Sequence, residues 1–469
     1  MRSKSIAIIV LFLLFFLGET ANTFSFKGEN NRNNAIGTII PLSYKIKNEL
    51  SDCKQTENID SIVTSFLKQN EIIGSSVAIA KEGRLVYAKG FGFANKENNE
   101  LVTPKSLFRI ASVSKLITAV AIMKLVENEK LDVNQKVFGP LGILNDSIYL
   151  NYKDKRVEDI TINQLLSHTA GWNGKKSDPV FNLLYVAKVM DLVPPIKIPI
   201  VIEYALTKDL DSTPGKEYSY SNLGYCILGE VIKKITGMEY EDYVQFAILH
   251  PLGIYDMHIG KSFYNERYPN EVKYYNLTNI EELWSFDGSD ELVPTEYGGN
   301  NIELLGAAGG WIASAPELVK LMVAIDGFSS QPDILSKQSL DYMTNAHDCS
   351  NRLIGWRGTD GHGTWWRTGT LCGTTALLMR HANEINWVVL LNTTTKSRPH
   401  IHNKLAHTMY AALGMVKKWP DSNLFNYEPE ANSQPMLSEK NPNQTYSPNN
   451  KVVLENSDAT FSLSKGLQN

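Results

Sequence analysis

A serine and a lysine lie three residues apart where a polar segment turns into a long apolar one. Ser112 and Lys115 open the apolar run 116–126, which predicts a helix buried inside a domain. Residues three apart share one helix face, and the free N–H groups at a helix start favour a developing oxyanion. Because a lysine in a dry pocket has a lowered pKa, it can accept the serine proton. The pair therefore predicts a nucleophilic serine with a lysine as its base.

The same spacing occurs at other places, so spacing alone does not select this pair. The other pairs are Ser51/Lys54, Ser65/Lys68 and Ser462/Lys465. We favour Ser112 because only this pair opens a long buried helix. The alternative is a helix cap beside a lysine that extends its ammonium group to water.

A tyrosine and an asparagine, Tyr220 and Asn222, lie between a Pro-Gly turn and a predicted helix at 225–236. A tyrosine near an ammonium group loses its proton more easily and can act as a base, and an asparagine can orient a lysine and a substrate amide. His168, at the end of a short predicted helix, is a weaker candidate base. A histidine there more often satisfies the last helix carbonyls.

A cation, two hydroxyls and a glycine enter a predicted strand hairpin near the end of the chain. They are Arg367, Thr368, Gly369 and Thr370. Such a set on a strand edge can line a site for a substrate that carries a carboxylate. The alternative for Arg367 is an exposed strand residue. The small-residue segment 306–310 lacks a following Gly-Lys-Ser/Thr, so we interpret it as close backbone packing and not as a phosphate loop.

The elements that must position these residues follow a simple order. The periodicity predicts a helix at 59–70, a hairpin at 76–88, the buried helix, a helical and loop-rich region at about 131–310, strands at 373–379 and 387–391, and a helix at 401–413. Strands from both chain ends would join one antiparallel sheet covered by helices, an α+β fold.

The chain ends have a different composition. Residues 1–23 carry two early basic residues and a short apolar run, which predicts an export signal and a secreted or periplasmic protein; an uncleaved membrane anchor is the alternative. We predict a polar linker at 24–56, the folded domain at 57–415 and a polar, disordered tail at 416–469.

Composition narrows the function classes. The chain has 469 residues and a net charge of −4 without a long basic stripe, so nucleic acid is not an expected partner. The four cysteines show neither a CxxC pair nor zinc-ligand spacing, and we expect no metal and no cofactor. A disulfide is permitted outside the cytoplasm, but its pairing does not follow from the sequence.

Taken together and in this order, Ser112-x-x-Lys115, Tyr220-Ser221-Asn222 and Arg367-Thr368-Gly369 resemble the serine β-lactamases and penicillin-binding proteins. The similarity covers roughly residues 57–415. The branch it resembles comprises class C β-lactamases, D-Ala-D-Ala carboxypeptidases and related esterases.

This resemblance implies a sheet domain with an all-helical insertion and an active site between them. It also implies an acyl-enzyme on Ser112, proton transfer by Lys115 and Tyr220, and oxyanion donors from the backbone N–H groups of Ser112 and Thr370. The third motif departs from the family, which usually has Lys-Thr-Gly. Arg367 keeps the positive charge but cannot release its proton, which puts true β-lactam turnover in doubt.

Two functions remain open at this point. The first is an exported serine hydrolase acting on a peptide, a β-lactam or a small ester. The second is a catalytically silent relative used for binding. We favour the enzyme because all three motif positions keep chemically competent residues.

Overall fold

The computed structural model describes residues 40–278, 282–345, 353–395 and 400–429. The helices are α1 Leu42–Lys45, α2 Glu57–Gln69, α3 Ser114–Glu127, α4 Ile162–Leu166, α5 Leu183–Val189, α6 Ile198–Leu206, α7 Asn222–Thr236, α8 Tyr240–Val244, α9 Ile302–Gly309, α10 Ala315–Val323, α11 Lys337–Thr344 and α12 Ile401–Gly414. The strands are β1 Gly74–Lys81, β2 Arg84–Asn95, β3 Glu100–Leu101, β4 Phe108–Arg109, β5 His258–Ile259, β6 Tyr275–Asn276, β7 Leu283–Trp284, β8 Leu292–Val293, β9 Trp311–Ala313, β10 Gly358–Thr359, β11 Trp365–Leu371, β12 Thr374–His381, β13 Ile385–Leu391 and β14 Thr393–Thr394.

The main sheet joins strands from both ends of the chain, as predicted. In the described residues it has seven strands in the order β10-β11-β12-β13-β1-β2-β3. The strands β1 and β13 lie side by side and antiparallel, with Val77 opposite Val389. This pairing confirms the α+β class. In the same sheet, β11 lies next to β12 and contacts the turn that leads into helix α3.

Alternating side chains of β1 separate the two layers of helices. Val77 and Ile79 point to the face covered by α2 and α12, where they pack in one apolar cluster. Ala78 and Ala80 belong to the cluster on the other face, where α10 lies against β1 and β13. Because strand side chains alternate between faces, this short sequence sets both layers.

Helix α3 runs through the interior of the domain, as its composition predicts. Almost all of its residues are buried, including Leu116, Val120 and the charged Lys115. A helix that is apolar all round gains most when it is enclosed on every side. Its first turn, which carries the site, is therefore fixed by the core.

The prediction of an all-helical insertion at 131–310 is wrong in detail. Helices α4 to α9 lie there, but so do the short strands β5 to β8. Strand β5 pairs with β9, which also pairs with β4 just before the candidate nucleophile. Two-residue strands are too short to show an alternating pattern, so the sequence could not indicate them.

The predicted linker and tail boundaries also need correction. Leu42 and Ile46, inside the predicted linker, are buried in the main core, and so is Leu424 in the predicted tail. Isolated apolar residues in polar segments show no periodicity, which is why both boundaries were missed. The predicted export signal at 1–23 and the tail beyond residue 429 lie outside the described residues. Among the residues described, no helix has both the length and the apolar character needed to cross a bilayer.

Leu424 offers a test of this packing. Leu424→Ala should lower the free energy of unfolding by about 2–4 kcal/mol, because it removes buried methyl groups and leaves a cavity. Thermal or denaturant unfolding of the purified protein measures this. Leu141→Ala is the control, since that side chain is 97% exposed and its loss should change little. Equal stability of the two variants would show that the segment around Leu424 does not belong to the core.

Candidate active site

The candidate nucleophile sits on a tight turn directly before helix α3. Ser112 lies in the 3-10 turn Ala111–Val113, so it precedes the helix that carries Lys115. Ala111 has a φ of 48°, an uncommon conformation for a residue other than glycine. The Ser114 hydroxyl donates to the Ala111 carbonyl at 2.7 Å and stabilises the turn. Such strained residues cluster at functional sites, and here the strain presents Ser112 at the helix start.

Strand β11 passes so close to this turn that it needs a glycine at position 369. A Cβ atom on Gly369 would lie 2.1 Å from the Ile110 carbonyl oxygen, well inside van der Waals contact. Any side chain there would push the strand away from Ser112. The glycine that sequence analysis placed in the site thus acts through backbone proximity.

Lys115 is fully buried and lies among three oxygen atoms. Its Nζ donates to Asn222 Oδ1 at 2.7 Å and to the Ala308 carbonyl at 2.6 Å, and it lies 3.4 Å from Ser112 Oγ. Burial lowers the pKa of Lys115, although the neighbouring Tyr220 opposes this shift. The lysine is therefore poised to exchange a proton with the groups it contacts.

Tyr220 contacts the candidate nucleophile directly. Its hydroxyl donates to Ser112 Oγ at 2.8 Å, and the Lys115 ammonium lies 4.9 Å from its ring centroid. Burial opposes ionisation of this phenol, but the charges of Lys115 and Arg367 outweigh burial and lower the pKa of Tyr220 to about 8. Because an ordinary tyrosine has a pKa of about 10, this phenol is much the better base near neutral pH.

The ring of Tyr220 is held by a histidine that the sequence did not place there. His168 packs against it with ring centroids 4.5 Å apart, and His168 Nδ1 accepts a hydrogen bond from the Ser221 backbone N–H at 3.2 Å. Burial, together with the charges of Lys115 and Arg367, holds the pKa of His168 well below its usual value. Because the ring is neutral and its Nδ1 already accepts a hydrogen bond from the backbone, His168 fits a residue that positions Tyr220 better than it fits a catalytic base.

Asn222 connects the lysine to a carboxyl group that sequence analysis missed. Its Nδ2 donates to Asp178 Oδ2 at 2.7 Å, while its Oδ1 accepts from Lys115. Because Asp178 fixes which end of the amide faces Lys115, it orients the lysine indirectly. Burial raises the pKa of Asp178, although the bond from Asn222 opposes this shift.

Arg367 lies in the site but does not face open solvent. Its side chain is 2% exposed, Nε donates to the Ser112 carbonyl at 2.8 Å, and Nη2 lies 3.4 Å from the Tyr220 hydroxyl. The predicted alternative of an exposed strand residue is wrong. The contacts favour a guanidinium that fixes the serine turn and lowers the pKa of Tyr220 over one that clamps a substrate carboxylate.

A cavity of about 380 Å³ opens onto Ser112 and Tyr220. Its walls include Asn222 and Thr370. Thr370 Oγ1 lies 3.4 Å from His402 Nε2 of α12. Thr368 is not among the lining residues, and the alternation along β11 places it on the face opposite Arg367. The oxyanion role of the Ser112 and Thr370 N–H groups stays a prediction.

The described residues contain no group of three or more His, Cys, Asp or Glu side chains that could hold a metal ion. Cys53 and Cys226 are free thiols, and Cys226 is buried. Cys349 lies outside the described residues.

Arg367→Ala gives a direct test of the tuning role. Without this charge the pKa of Tyr220 should rise, so turnover at neutral pH should fall about tenfold or more, equally for neutral and acidic esters. Arg357→Ala is the matched control, because Arg357 is exposed and its guanidinium carbon lies 5.9 Å from the centroid of the Tyr220 ring. A loss confined to acidic substrates, seen as a raised KM, would instead restore the carboxylate clamp.

A serine lies between a buried lysine and a tyrosine, at the start of a core helix beside an antiparallel sheet. This fold and this arrangement define the class of serine hydrolases with a β-lactamase fold. A family model described as Beta-lactamase matches residues 59–409, more than half of the chain. The chain therefore belongs to the beta-lactamase family.

Individual relatives agree with this assignment. The chain is 29% identical over 198 residues to Protein flp of Staphylococcus aureus, a match that spans 42% of this chain but only 36% of that relative. The octameric penicillin-binding protein homologue from Pyrococcus abyssi is 26% identical, with a TM-score of 0.58 over 78% of this chain and 79% of that one. The D-amino acid amidase from Ochrobactrum anthropi shares the fold at 20% identity, with a TM-score of 0.58 over 78% of this chain and 99% of that one.

Proposed function

We propose that this protein is an exported serine hydrolase that works through an acyl-enzyme on Ser112. The observation that carries the proposal is the 2.8 Å contact between the Tyr220 hydroxyl and Ser112 Oγ, with Lys115 Nζ 3.4 Å from the same oxygen. A serine hydroxyl is a weak nucleophile until an adjacent base takes its proton. Here two candidate bases with lowered pKa values converge on one hydroxyl at a cavity.

The contacts support a two-step reaction. In the first step Ser112 Oγ attacks the substrate carbonyl carbon while its proton passes to the Tyr220 phenolate, and the proton then goes to the leaving group. In the second step Tyr220 takes a proton from water as the water oxygen attacks the acyl carbon. The bond between the acyl carbon and Ser112 Oγ then breaks, and Tyr220 returns the proton to Oγ, which restores both the serine hydroxyl and the phenolate. Lys115 stabilises the phenolate throughout, and the pair shares its protons, so apparent pKa values belong to both residues.

Three classes of substrate fit this reaction. A peptide or amide, a β-lactam and a small ester all present the carbonyl that this reaction needs. The penicillin-binding protein homologue and the D-amino acid amidase among its relatives support the first two. Arg367 in place of the usual lysine favours esters and peptides over β-lactam turnover. Export rests on the composition of residues 1–23, and N-terminal sequencing of the protein recovered outside the cytoplasm tests it.

The pH dependence should follow the base. Since the pKa of Tyr220 is about 8 and the deprotonated form is the active one, kcat/KM should rise with pH between 6 and 8 and level off above that. A pH series with a p-nitrophenyl ester, corrected for spontaneous hydrolysis, measures this. A rate that falls over the same range would assign a protonated group to the rate-limiting role.

The competing function is a silent relative that binds a ligand without turning it over. A panel of p-nitrophenyl acetate, a D-amino acid amide and a chromogenic cephalosporin separates the two functions. Turnover of at least one member that Ser112→Ala abolishes supports the hydrolase. Saturable binding without turnover by the wild-type protein would support the silent relative.

A further inference from the structure

An apolar groove continues outward from the candidate active site. A second cavity of about 290 Å³ shares Phe181 and Asn300 with the cavity at Ser112. From this shared wall it extends to Tyr185 on α5 and to Trp284 on β7. The second cavity therefore adjoins the cavity at the candidate nucleophile, and the two meet at Phe181 and Asn300.

The side chains that line this second cavity are mainly apolar and all uncharged. Its lining, drawn from the described residues, consists of aromatic and aliphatic side chains, with asparagines and a glycine as the remainder and no charged residue. Two large aromatic residues are left open to solvent: Tyr185 is 58% exposed and Trp284 is 57% exposed. Large aromatic side chains left open to solvent in an uncharged concave surface are typical of a ligand-binding groove.

The exposed tryptophan stands on a supported element. Strands β7 and β8 pair through Trp284 and Leu292, and the turn that joins them includes Gly288 with a φ of 79°. A Cβ atom at Gly288 would lie 2.4 Å from Pro194, so the hairpin rests directly on that segment. The hairpin thus holds Trp284 at the edge of the groove near Tyr185.

We propose that this groove binds an extended apolar chain of the substrate whose carbonyl reacts at Ser112. The proposal rests on the proposed hydrolase function and adds its specificity: esters with a long alkyl chain over short ones. An uncharged groove offers no partner to a charged group but removes methylene groups from water, and its continuity with the reactive cavity selects a chain attached to the reacting carbonyl. Full burial favours each methylene by roughly threefold to fourfold.

A chain-length series tests the specificity. We expect kcat/KM for p-nitrophenyl decanoate, measured below its micelle concentration, to exceed that for the acetate by at least tenfold. Trp284→Ser and Tyr185→Ser should each reduce this ratio several-fold, and the double variant should abolish the preference. Phe246→Ser is the matched control, because Phe246 is an aromatic residue with 67% exposure that lines neither cavity. A ratio that the double variant leaves unchanged would overturn the proposal.

A binding measurement separates this inference from the proposed function. Dansylundecanoic acid, a fluorescent fatty acid, should bind saturably to the full-length Ser112→Ala protein, which needs no turnover. Adding Trp284→Ser should weaken its Kd at least tenfold, whereas adding Phe246→Ser should not. Absence of saturable binding, or equal weakening by both variants, would overturn the groove even if short esters are hydrolysed. Failure of all ester turnover with intact, Trp284-dependent binding would reject the hydrolase and keep the groove.

Discussion

Ser112→Ala should abolish turnover, with a loss of about 1000-fold or more in kcat and little change in stability. The reason is that no covalent intermediate can form without Oγ, whereas the bonds that hold the turn come from Ser114 and from the Ser112 backbone carbonyl. Removing the nucleophile of a serine hydrolase typically costs several powers of ten in kcat. Steady-state hydrolysis and the melting temperature together measure both effects.

Ser65→Ala is the matched control for this variant. Ser65 belongs to another Ser-x-x-Lys pair, with Lys68, but it is exposed on α2 and its hydroxyl donates only to the Ser61 carbonyl. We expect normal activity from this control. Substantial residual activity in Ser112→Ala would mean that a different nucleophile performs the reaction.

Tyr220→Phe should lower turnover roughly 100-fold or more while the protein keeps near-native stability. The variant removes only the hydroxyl, which contacts Ser112 Oγ at 2.8 Å, and it retains the ring that packs against His168. General acid–base groups typically contribute two to four powers of ten, so a loss of this size identifies the proton shuttle. One hydrogen bond contributes only about 1 kcal/mol to stability, which bounds the structural cost.

Tyr225→Phe is the contrasting variant. Its hydroxyl is also buried near the site, but it donates to the Leu166 carbonyl at 3.0 Å and does not reach Ser112. It should therefore cost about 1 kcal/mol in stability and little activity. If Tyr220→Phe behaves in the same way as Tyr225→Phe, the role of Tyr220 as base is wrong.

The sequence indicated the parts of the site that are carried by local patterns. Ser112 and Lys115 were marked by a polar start to a buried helix, and Tyr220 and Asn222 by a turn before another helix. The structure confirms that these four residues meet. Helix and strand periodicity was likewise sufficient for the central strands β1, β12 and β13 and for the covering helices α2 and α12, but it did not indicate the short edge strands β3 and β10.

Contacts between distant segments could not be predicted in the same way. Asp178 meets Asn222 across 44 residues without any motif around it. The direction of Arg367 depends on which face of β11 meets the turn at Ser112, and that depends on the pairing of β11 with β12. Burial of Leu42 and Leu424 depends on where polar segments return to the core. Each of these is a property of tertiary packing, which single-sequence periodicity does not contain.

The central claim, a covalent acyl-enzyme on Ser112, is tested most directly by mass spectrometry of a trapped adduct. The full-length protein is treated with a fluorophosphonate, digested, and the modified peptide is sequenced in the spectrometer, with Ser112→Ala treated in parallel. We predict one adduct, located on Ser112 and lost in the variant. An adduct on any other residue, or one that persists in Ser112→Ala, would contradict the account.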